Sequence, residues 1–91
     1  NTVHAYTASQ RLVDGPDKNN DFRKARAAAQ NIVPSTTGAA IAATKAFPSL
    51  KDKFDGISLR VPVICGSIID FTFIASRPTS VEEINSIFKK T

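Results

Sequence analysis

The chain has 91 residues, of which 42% are hydrophobic and 22% charged, and its formal net charge is +4 at pH 7. This length allows one small domain with a modest core, and the balance of apolar and charged residues excludes a disordered chain. No apolar run is long enough to cross a bilayer, so we expect no membrane partner. The single cysteine, Cys65, has no partner for an internal disulfide, which indicates a reducing compartment.

The N-terminal residues predict a β-strand over residues 3–7, because β-branched and aromatic side chains follow one another in a short run. Alternation along this strand places His4 and Tyr6 on the same face. The sequence starts at Asn1 as if the strand were already under way, without an initiator methionine. We therefore expect that it begins within a larger protein.

A long segment, residues 8–33, has no sustained apolar period and is predicted to be mostly an irregular loop, with one helical turn near residues 26–30. Residues 14–17 read Asp-Gly-Pro-Asp, which is a turn signature, and residues 18–21 are polar. The basic residues 23–26 suit an anionic ligand, a partner or simply solubility. The apolar residues expected to anchor the loop are Phe22, Ala27, Ala28, Ala29, Ile32 and Val33.

Residues 37–47 are predicted to form a helix with a prepared N-terminal end. The hydroxyl groups of residues 35–37 are available to cap the first backbone N–H groups, and Pro48 ends the helix by disfavouring helical geometry just before it. Gly38 leaves room for close approach to those N–H groups. Since free N–H groups and the helix dipole attract anions, this start is a candidate phosphate or carboxylate site. The alternative is an ordinary capped helix, rich in alanine and buried in the core.

Two alternating segments predict two further strands. In residues 57–63 apolar and polar side chains alternate, Arg60 lies on the polar face, and Pro62 favours an edge position or the end of the strand. Residues 69–75 alternate in the same way. Because the two segments are joined by a short turn, we expect them to pair antiparallel.

The last segment predicts a helix that begins at a capping box, Thr79-x-x-Glu82, and ends with two lysines. The predicted apolar stripe of this helix consists of Val81, Ile84, Ile87 and Phe88. Taken together, the elements predict an α+β fold with helices packed on one face of a mainly antiparallel sheet.

Four features carry candidate chemistry: His4, Thr7, the helix start at Thr37 and Gly38, and Arg60. Imidazole titrates near neutral pH and suits acid–base work, although a single histidine in a strand is often only packed or exposed. Arg60 either binds an anion or is solvated. The sequence has no metal-ligand cluster and no glycine-rich dinucleotide fingerprint, so we expect neither a metal site nor a nucleotide-binding domain in this chain.

Several motifs, in a fixed order, give a specific resemblance. Residues 2–10 read Thr-Val-His-Ala-Tyr-Thr-Ala-Ser-Gln, residues 26–40 include Pro-Ser-Thr-Thr-Gly-Ala-Ala, and Val-Asp-Gly-Pro and Arg-Val-Pro occur at residues 13–16 and 60–62. They closely resemble the catalytic domain of the phosphorylating glyceraldehyde-3-phosphate dehydrogenase family. The resemblance runs through essentially the whole chain. It implies that residues 1–91 are a partial catalytic domain, with the family's nucleotide-binding domain and nucleophilic cysteine outside it.

The resemblance also implies a role for each matching residue. His4 matches the histidine that keeps the family's nucleophilic cysteine as a thiolate and moves protons during the reaction. Cys65 is not expected to be that nucleophile, because residues 63–67 depart from the Thr-Pro-Asn sequence that the family usually has there. The residues that match the family's phosphate sites are Thr7, Ser9, Arg23 and Arg60 for the substrate phosphate, and Thr37 and Gly38 for inorganic phosphate.

The implied activity is the oxidation and phosphorylation of glyceraldehyde 3-phosphate to 1,3-bisphosphoglycerate, with NAD bound mainly by a domain outside this chain. Residues 9–33 resemble the family's S-shaped loop, which implies a cytoplasmic homotetramer with subunit contacts through this loop. Within the loop, residues 18–20 contain one residue more than common bacterial versions. The isolated chain is expected to be inactive and weakly stable.

Two other functions stay open at this point. Erythrose-4-phosphate dehydrogenases share the same motifs. A non-catalytic module that binds anions or nucleic acid through the basic loop belongs to a different class, although no specific nucleic-acid partner is expected. Strong, salt-dependent oligonucleotide binding would distinguish that module from an enzyme.

Overall fold

Residues 1–16 and 19–91 are described by a computed structural model of the chain. Its regular elements are strands β1 (Thr2–Ala5), β2 (Val33–Ser35), β3 (Ser58–Val61) and β4 (Ser67–Ile69), helices α1 (Ala39–Ala46) and α2 (Val81–Lys90), and a 3₁₀ turn at Pro48–Leu50. The predicted α+β class is confirmed. None of the described helices is long and apolar enough to cross a membrane.

The four strands form one sheet in the order β2-β3-β1-β4. β1 runs parallel to β3 and antiparallel to β4, and β2 runs antiparallel to β3. The prediction that the strands around Arg60 and Ile69 pair with each other is therefore wrong, because β1 lies between them. β1 forms backbone hydrogen bonds with β3 along one edge and with β4 along the other. If β3 and β4 paired directly with each other, the N–H and C=O groups along one edge of β1 would have no partner strand.

The strand boundaries also differ from the prediction. β1 ends at Ala5 because the chain turns just beyond it, where the Gln10 N–H donates to the Thr7 carbonyl at 2.9 Å. β4 ends at Ile69 because its ladder with β1 finishes where the Asp70 N–H donates to the Asn1 carbonyl. The segment that follows, residues 70–75, is not a strand although its side chains alternate.

Strand β2 is not predicted by the sequence pattern, because its middle residue is Pro34 and its last residue, Ser35, has the chemistry of a helix cap. Proline is tolerated in a strand at the edge of a sheet, where one side of the backbone has no ladder partner. β2 occupies such an edge, and this position explains how a strand can contain Pro34.

Helix α1 begins close to its predicted start. Thr37 provides the predicted hydroxyl cap, since its Oγ1 accepts from the Ala39 N–H at 3.2 Å, and the Gly38 carbonyl accepts from Ala42. The expected termination before Pro48 is confirmed, because the helix ends at Ala46. Ala40 is the buried residue of α1, so the helix is not buried on most sides as the alanine content suggested.

The N-cap residue of helix α2 is Ser80, one residue after the predicted N-cap Thr79. Ser80, in an extended conformation, accepts from the Glu83 N–H at 3.2 Å, while Thr79 donates to the Glu83 carboxylate instead. No residue of α2 is buried. Ile84, Ile87 and Phe88 of its apolar stripe line an open groove of about 330 Å³ with Phe71 and Phe73, so α2 packs against the preceding segment rather than on the strands as predicted.

The loop of residues 8–32 is irregular in its described part, as expected, and folds on itself through backbone hydrogen bonds between residues 11–15 and 24–28. The helical turn predicted near residues 26–30 is only a single turn, in which the Gln30 N–H donates to the Ala27 carbonyl. Ala28 and Val33 are buried anchors, with 1% and 2% exposure, whereas Phe22 and Ile32 are exposed and the prediction that they anchor the loop is wrong. The predicted turn at residues 14–17 and the additional residue at 18–20 fall partly on Asp17 and Lys18, which lie outside the described residues.

Candidate active site

The parallel pairing of β1 and β3 places His4 directly opposite Arg60 in the sheet register. Partners in neighbouring strands project from the same face, because side chains alternate along each strand. Both side chains are half-buried. The sheet thus brings together two candidate residues that are 56 positions apart in the sequence.

One nitrogen of His4 lies between a donor and an acceptor. Arg60 Nη1 is 2.6 Å from His4 Nδ1, and the Ala5 carbonyl oxygen is 2.7 Å from the same nitrogen. Arg60 Nη1 is also 3.5 Å from the Ala5 oxygen. A guanidinium only donates hydrogen bonds and a carbonyl only accepts them, so Nδ1 can satisfy one of these two close neighbours at a time.

Thr7 lies at the end of β1, beyond His4, and contacts Ser9. Their hydroxyl oxygens are 2.9 Å apart, so the two predicted phosphate ligands form one pair of hydroxyl groups. Gln10 holds this turn, because its Oε1 accepts from the Thr7 N–H at 3.1 Å. The side chain of Gln10 is buried and its Nε2 has no partner among the described residues.

Gln10 is a site residue that the sequence patterns above do not single out, although the sequence contains a signal for it. The spacing Thr7-x-x-Gln10 at the end of a strand is suited to a turn closed by a side-chain amide. The turn aligns the hydroxyl groups of Thr7 and Ser9, and Gln10 supplies its buried hydrogen bond.

Thr37 and Gly38 lie at the other end of the sheet. β2 pairs Ser35 with Ser58, two positions from Arg60 in β3, which corresponds to about 6–7 Å along the strand. Among the described residues, no hydrogen bond joins Thr37 or Gly38 to His4 or Arg60. The helix start and the His4–Arg60 pair are thus linked through the β2–β3 pairing rather than by a direct hydrogen bond.

The Gly38 position is open. A Cβ added there would meet no atom within 4 Å, and the backbone is in the ordinary right-handed helical region. Neither crowding nor backbone conformation therefore requires glycine at this position. Gly38 leaves the first N–H groups of α1 without a side chain in front of them.

Arg23 pairs with an acid in its own turn rather than with the other candidates. Its Nε is 3.2 Å from Asp21, and this hydrogen bond is the main reason why the pKa of the Asp21 carboxyl lies below its ordinary value. Lys24 is 3.8 Å from the same carboxylate, and Arg26 is 3.3 Å from Asp14. The basic stretch is thus largely neutralised by carboxylates of the same loop.

Cys65 is exposed and lies in the turn that leads into β4. The next residue, Gly66, has a φ of +96°, a conformation that favours glycine, and its carbonyl accepts from the Ala5 N–H. Ser67 then pairs with His4. Within residues 1–16 and 19–91, no group of three or more histidine, cysteine, aspartate or glutamate residues is arranged to hold a metal ion.

Comparison with known proteins identifies relatives along the whole chain. The family described as "Glyceraldehyde 3-phosphate dehydrogenase, C-terminal domain" matches residues 1–91. The glyceraldehyde-3-phosphate dehydrogenase of Mycobacterium avium is 56% identical over 88 residues, which are 97% of this chain and 25% of the relative.

Two further relatives give the same result. Glyceraldehyde-3-phosphate dehydrogenase 2 of Streptomyces avermitilis is 54% identical over 98% of this chain and 26% of its own length. The Lactobacillus delbrueckii subsp. bulgaricus enzyme, named glyceraldehyde-3-phosphate dehydrogenase, is 49% identical over the same shares. The chain spans about a quarter of the length of these relatives. It belongs to the glyceraldehyde 3-phosphate dehydrogenase C-terminal domain family.

Proposed function

We propose that the protein containing this chain is a phosphorylating, NAD-dependent glyceraldehyde-3-phosphate dehydrogenase. The observation that carries this proposal is the family match over residues 1–91, with relatives of that name at 49–56% identity. In this reaction the aldehyde is oxidised through a thioester, and inorganic phosphate releases the acyl group as 1,3-bisphosphoglycerate. The proposed setting is the cytoplasm.

His4 is the proposed acid–base residue. The imidazole is half-buried near the end of β1, so its neighbours fix its direction while one edge stays accessible. Such an arrangement suits proton transfer to and from a bound substrate. In the proposed mechanism His4 keeps a cysteine elsewhere in the protein as the thiolate and transfers the proton of the hemithioacetal hydroxyl. Cys65 has no part in this mechanism.

The proposed ligands of the substrate phosphate are Arg60, Thr7 and Ser9. A guanidinium gives a phosphate charge-assisted hydrogen bonds, and two hydroxyl groups 2.9 Å apart can donate to neighbouring oxygens of the same phosphate. Arg23 is a further proposed ligand, and it would have to exchange its pairing with Asp21 for the substrate.

Inorganic phosphate is proposed to bind at Thr37 and Gly38. The start of α1 offers the N–H groups that Thr37 does not cap and the positive end of the helix dipole, and the open space beside Gly38 allows an anion to approach.

The described residues do not fit the dinucleotide part of NAD. β1 and β3 are parallel, but in the described part of the chain no strand leads through a glycine-rich turn into a helix. We therefore assign NAD binding to another part of the full-length protein. The exposed apolar side chains of the loop, among them Leu12, Val13 and Phe22, support the proposal that this loop contacts other subunits of a homotetramer.

The alternatives are a nucleic-acid-binding module and a dehydrogenase for erythrose 4-phosphate. A nucleic-acid module needs free cations, whereas the basic stretch of this loop is paired with Asp14 and Asp21. Erythrose-4-phosphate dehydrogenase remains the alternative within the enzyme class, and steady-state comparison of the two aldehydes distinguishes it.

Replacement of Arg60 by leucine tests the proposal. In the full-length protein we expect Arg60→Leu to weaken binding of glyceraldehyde 3-phosphate by about 1.5–3 kcal/mol, or about 10- to 150-fold in KM, because one charge-assisted contact is lost. Arg77→Leu, at the distant end of the chain, is the matched control. Equal KM values for the two variants would contradict the proposal.

A further inference from the structure

We propose that Arg60 is a positioning residue for His4 and that an anion bound to Arg60 changes which nitrogen of His4 carries the proton. The inference rests on the proposed function, in which Arg60 binds the substrate phosphate and His4 is the base. It goes beyond that function because it links the two groups. Substrate phosphate would then prepare the base that acts on the same substrate.

The contact at His4 Nδ1 carries the inference. Arg60 Nη1 at 2.6 Å needs a lone pair on Nδ1, whereas the Ala5 carbonyl at 2.7 Å needs a hydrogen there. The two interactions exclude each other, so the site has two states. The choice between them depends on where the Arg60 guanidinium is.

In the first state Arg60 donates to Nδ1, and its Nη1 also lies 3.5 Å from the Ala5 oxygen. The neutral imidazole must then carry its hydrogen on Nε2, because Nδ1 is the acceptor. A protonated Nε2 donates a hydrogen bond but cannot accept a proton. His4 in this state is not a base.

In the second state Arg60 has turned to an anion and no longer contacts His4. Nδ1 then carries a hydrogen and donates it to the Ala5 carbonyl, which is already at hydrogen-bond distance. One proton leaves Nε2 for solvent and one is taken up at Nδ1, so the charge of the imidazole does not change. The lone pair of Nε2 is now free to accept a proton from the reacting group.

Nitrogen NMR of the full-length protein, labelled with ¹⁵N-histidine, tests this switch with sulfate as the anion. The His4 signals are assigned by their loss in His4→Asn. Without sulfate we expect the hydrogen of His4 on Nε2, and at saturating sulfate on Nδ1. In Arg60→Leu we expect it on Nδ1 with or without sulfate, while Arg60→Lys, which keeps a donor, and the control Arg77→Leu retain the Nε2 form without sulfate.

Two results would overturn the inference. Protonation of the same nitrogen in the unaltered protein and in Arg60→Leu, without sulfate, would show that Arg60 does not select the state. An Nε2 form that persists at saturating sulfate in the unaltered protein would show that an anion does not release Nδ1. The sulfate titration needs no substitution, so it decides the question even if Arg60→Leu fails to fold.

Kinetics separate this inference from the proposed function. If the protein oxidises no phosphorylated aldehyde, the proposed function fails, while the NMR result still shows whether Arg60 and His4 are linked. If the enzyme is active, acylation by unphosphorylated glyceraldehyde should rise at least several-fold with added sulfate. The same anion should have no effect on acylation in Arg60→Leu.

Discussion

His4 Nδ1 has two close neighbours, one supplied by the next residue of the sequence and the other by the sheet register. Ala5 follows it in β1, while Arg60 reaches it from β3. This arrangement holds the imidazole ring in one direction. In the proposed switch, the Ala5 carbonyl keeps this direction after Arg60 has turned to an anion, and Nε2 is then free for proton transfer.

We expect His4→Asn in the full-length protein to lower the acylation rate by roughly 10²–10⁴-fold, the usual contribution of a positioned acid–base group. The fold should persist, because asparagine fits the half-buried site and can donate to the Ala5 carbonyl. Rapid-mixing measurement of thioester formation checks the rate, and alkylation of the reactive cysteine across a range of pH checks its thiolate character. Unchanged acylation and alkylation would make His4 a structural residue.

At the scale of single elements, the start of α1 combines an open glycine with a threonine cap. Thr37 caps Ala39, and Gly38 has ordinary helical backbone angles with nothing near its missing side chain. Gly38 is the N-cap residue of α1, a position where glycine is preferred over alanine. The open space beside Gly38 is also what the proposed phosphate site requires.

We expect Gly38→Ala to lower the free energy of unfolding by about 0.5–1 kcal/mol, because alanine is a poorer N-cap than glycine, while it raises the KM for inorganic phosphate. Urea unfolding measures the first effect, and steady-state kinetics at varied phosphate the second. Ala42→Gly, in the interior of the same helix, is the control, because it lowers stability by a similar amount without altering the helix start. A KM for phosphate equal to that of the unaltered protein would argue against an anion site there.

The first turn of α2 carries two carboxylates, Glu82 and Glu83. The Arg77 guanidinium, helped by the Thr79 hydroxyl, holds the pKa of Glu83 below its ordinary value. The Glu82 carboxyl also has a lowered pKa, mainly through a hydrogen bond to its own backbone N–H and another from Ser80. Carboxylates near a helix N-terminus also interact favourably with the helix dipole.

A pKa lowered by folding stabilises the folded form only while the carboxyl is ionised. The contribution of Glu83 is therefore complete above its ordinary pKa near 4.5 and is lost as the pH falls through the lowered value. We expect the helical circular dichroism of the chain to decrease over this acid range, and Glu83→Gln to remove part of the change. Asp52→Asn is the control, and equal acid profiles for the two variants would contradict the role of Glu83.

At the scale of the whole molecule, the chain is extended. Its radius of gyration is 16.4 Å, against about 12 Å expected for a compact domain of this length. Many large apolar side chains are exposed, including Ile64, Ile74 and Phe88. A molecule with so little buried apolar surface has little to offset the entropy of ordering its chain.

The 91-residue chain alone is accordingly expected to be weakly stable and catalytically silent. Urea should unfold it with a low midpoint, and a mixture with glyceraldehyde 3-phosphate, phosphate and NAD should give no cofactor reduction above the blank. Mass spectrometry of Cys65 is the sharper measurement, because the turn before β4 lies beside the end of β1 and its histidine. Stoichiometric acylation of Cys65 would show that the nucleophile has been assigned to the wrong residue.

Short-range chemistry in the sequence determined much of this protein. The cap at Thr37, the end of α1 before Pro48, the position of α2 to within one residue and the α+β class all follow from local patterns. The order of the motifs along the chain is by itself enough to indicate the family. These features are local because a hydroxyl, a proline or an apolar period acts within a few residues of its own position.

Only the tertiary structure decided the pairing of the strands and the contacts of the site. Alternation shows which face a residue occupies but not which strand lies beside it, so the insertion of β1 between β3 and β4 could not be derived. The contact of His4 with Arg60 depends on that insertion. Long-range pairing of this kind is selected by the backbone hydrogen bonds of the whole sheet.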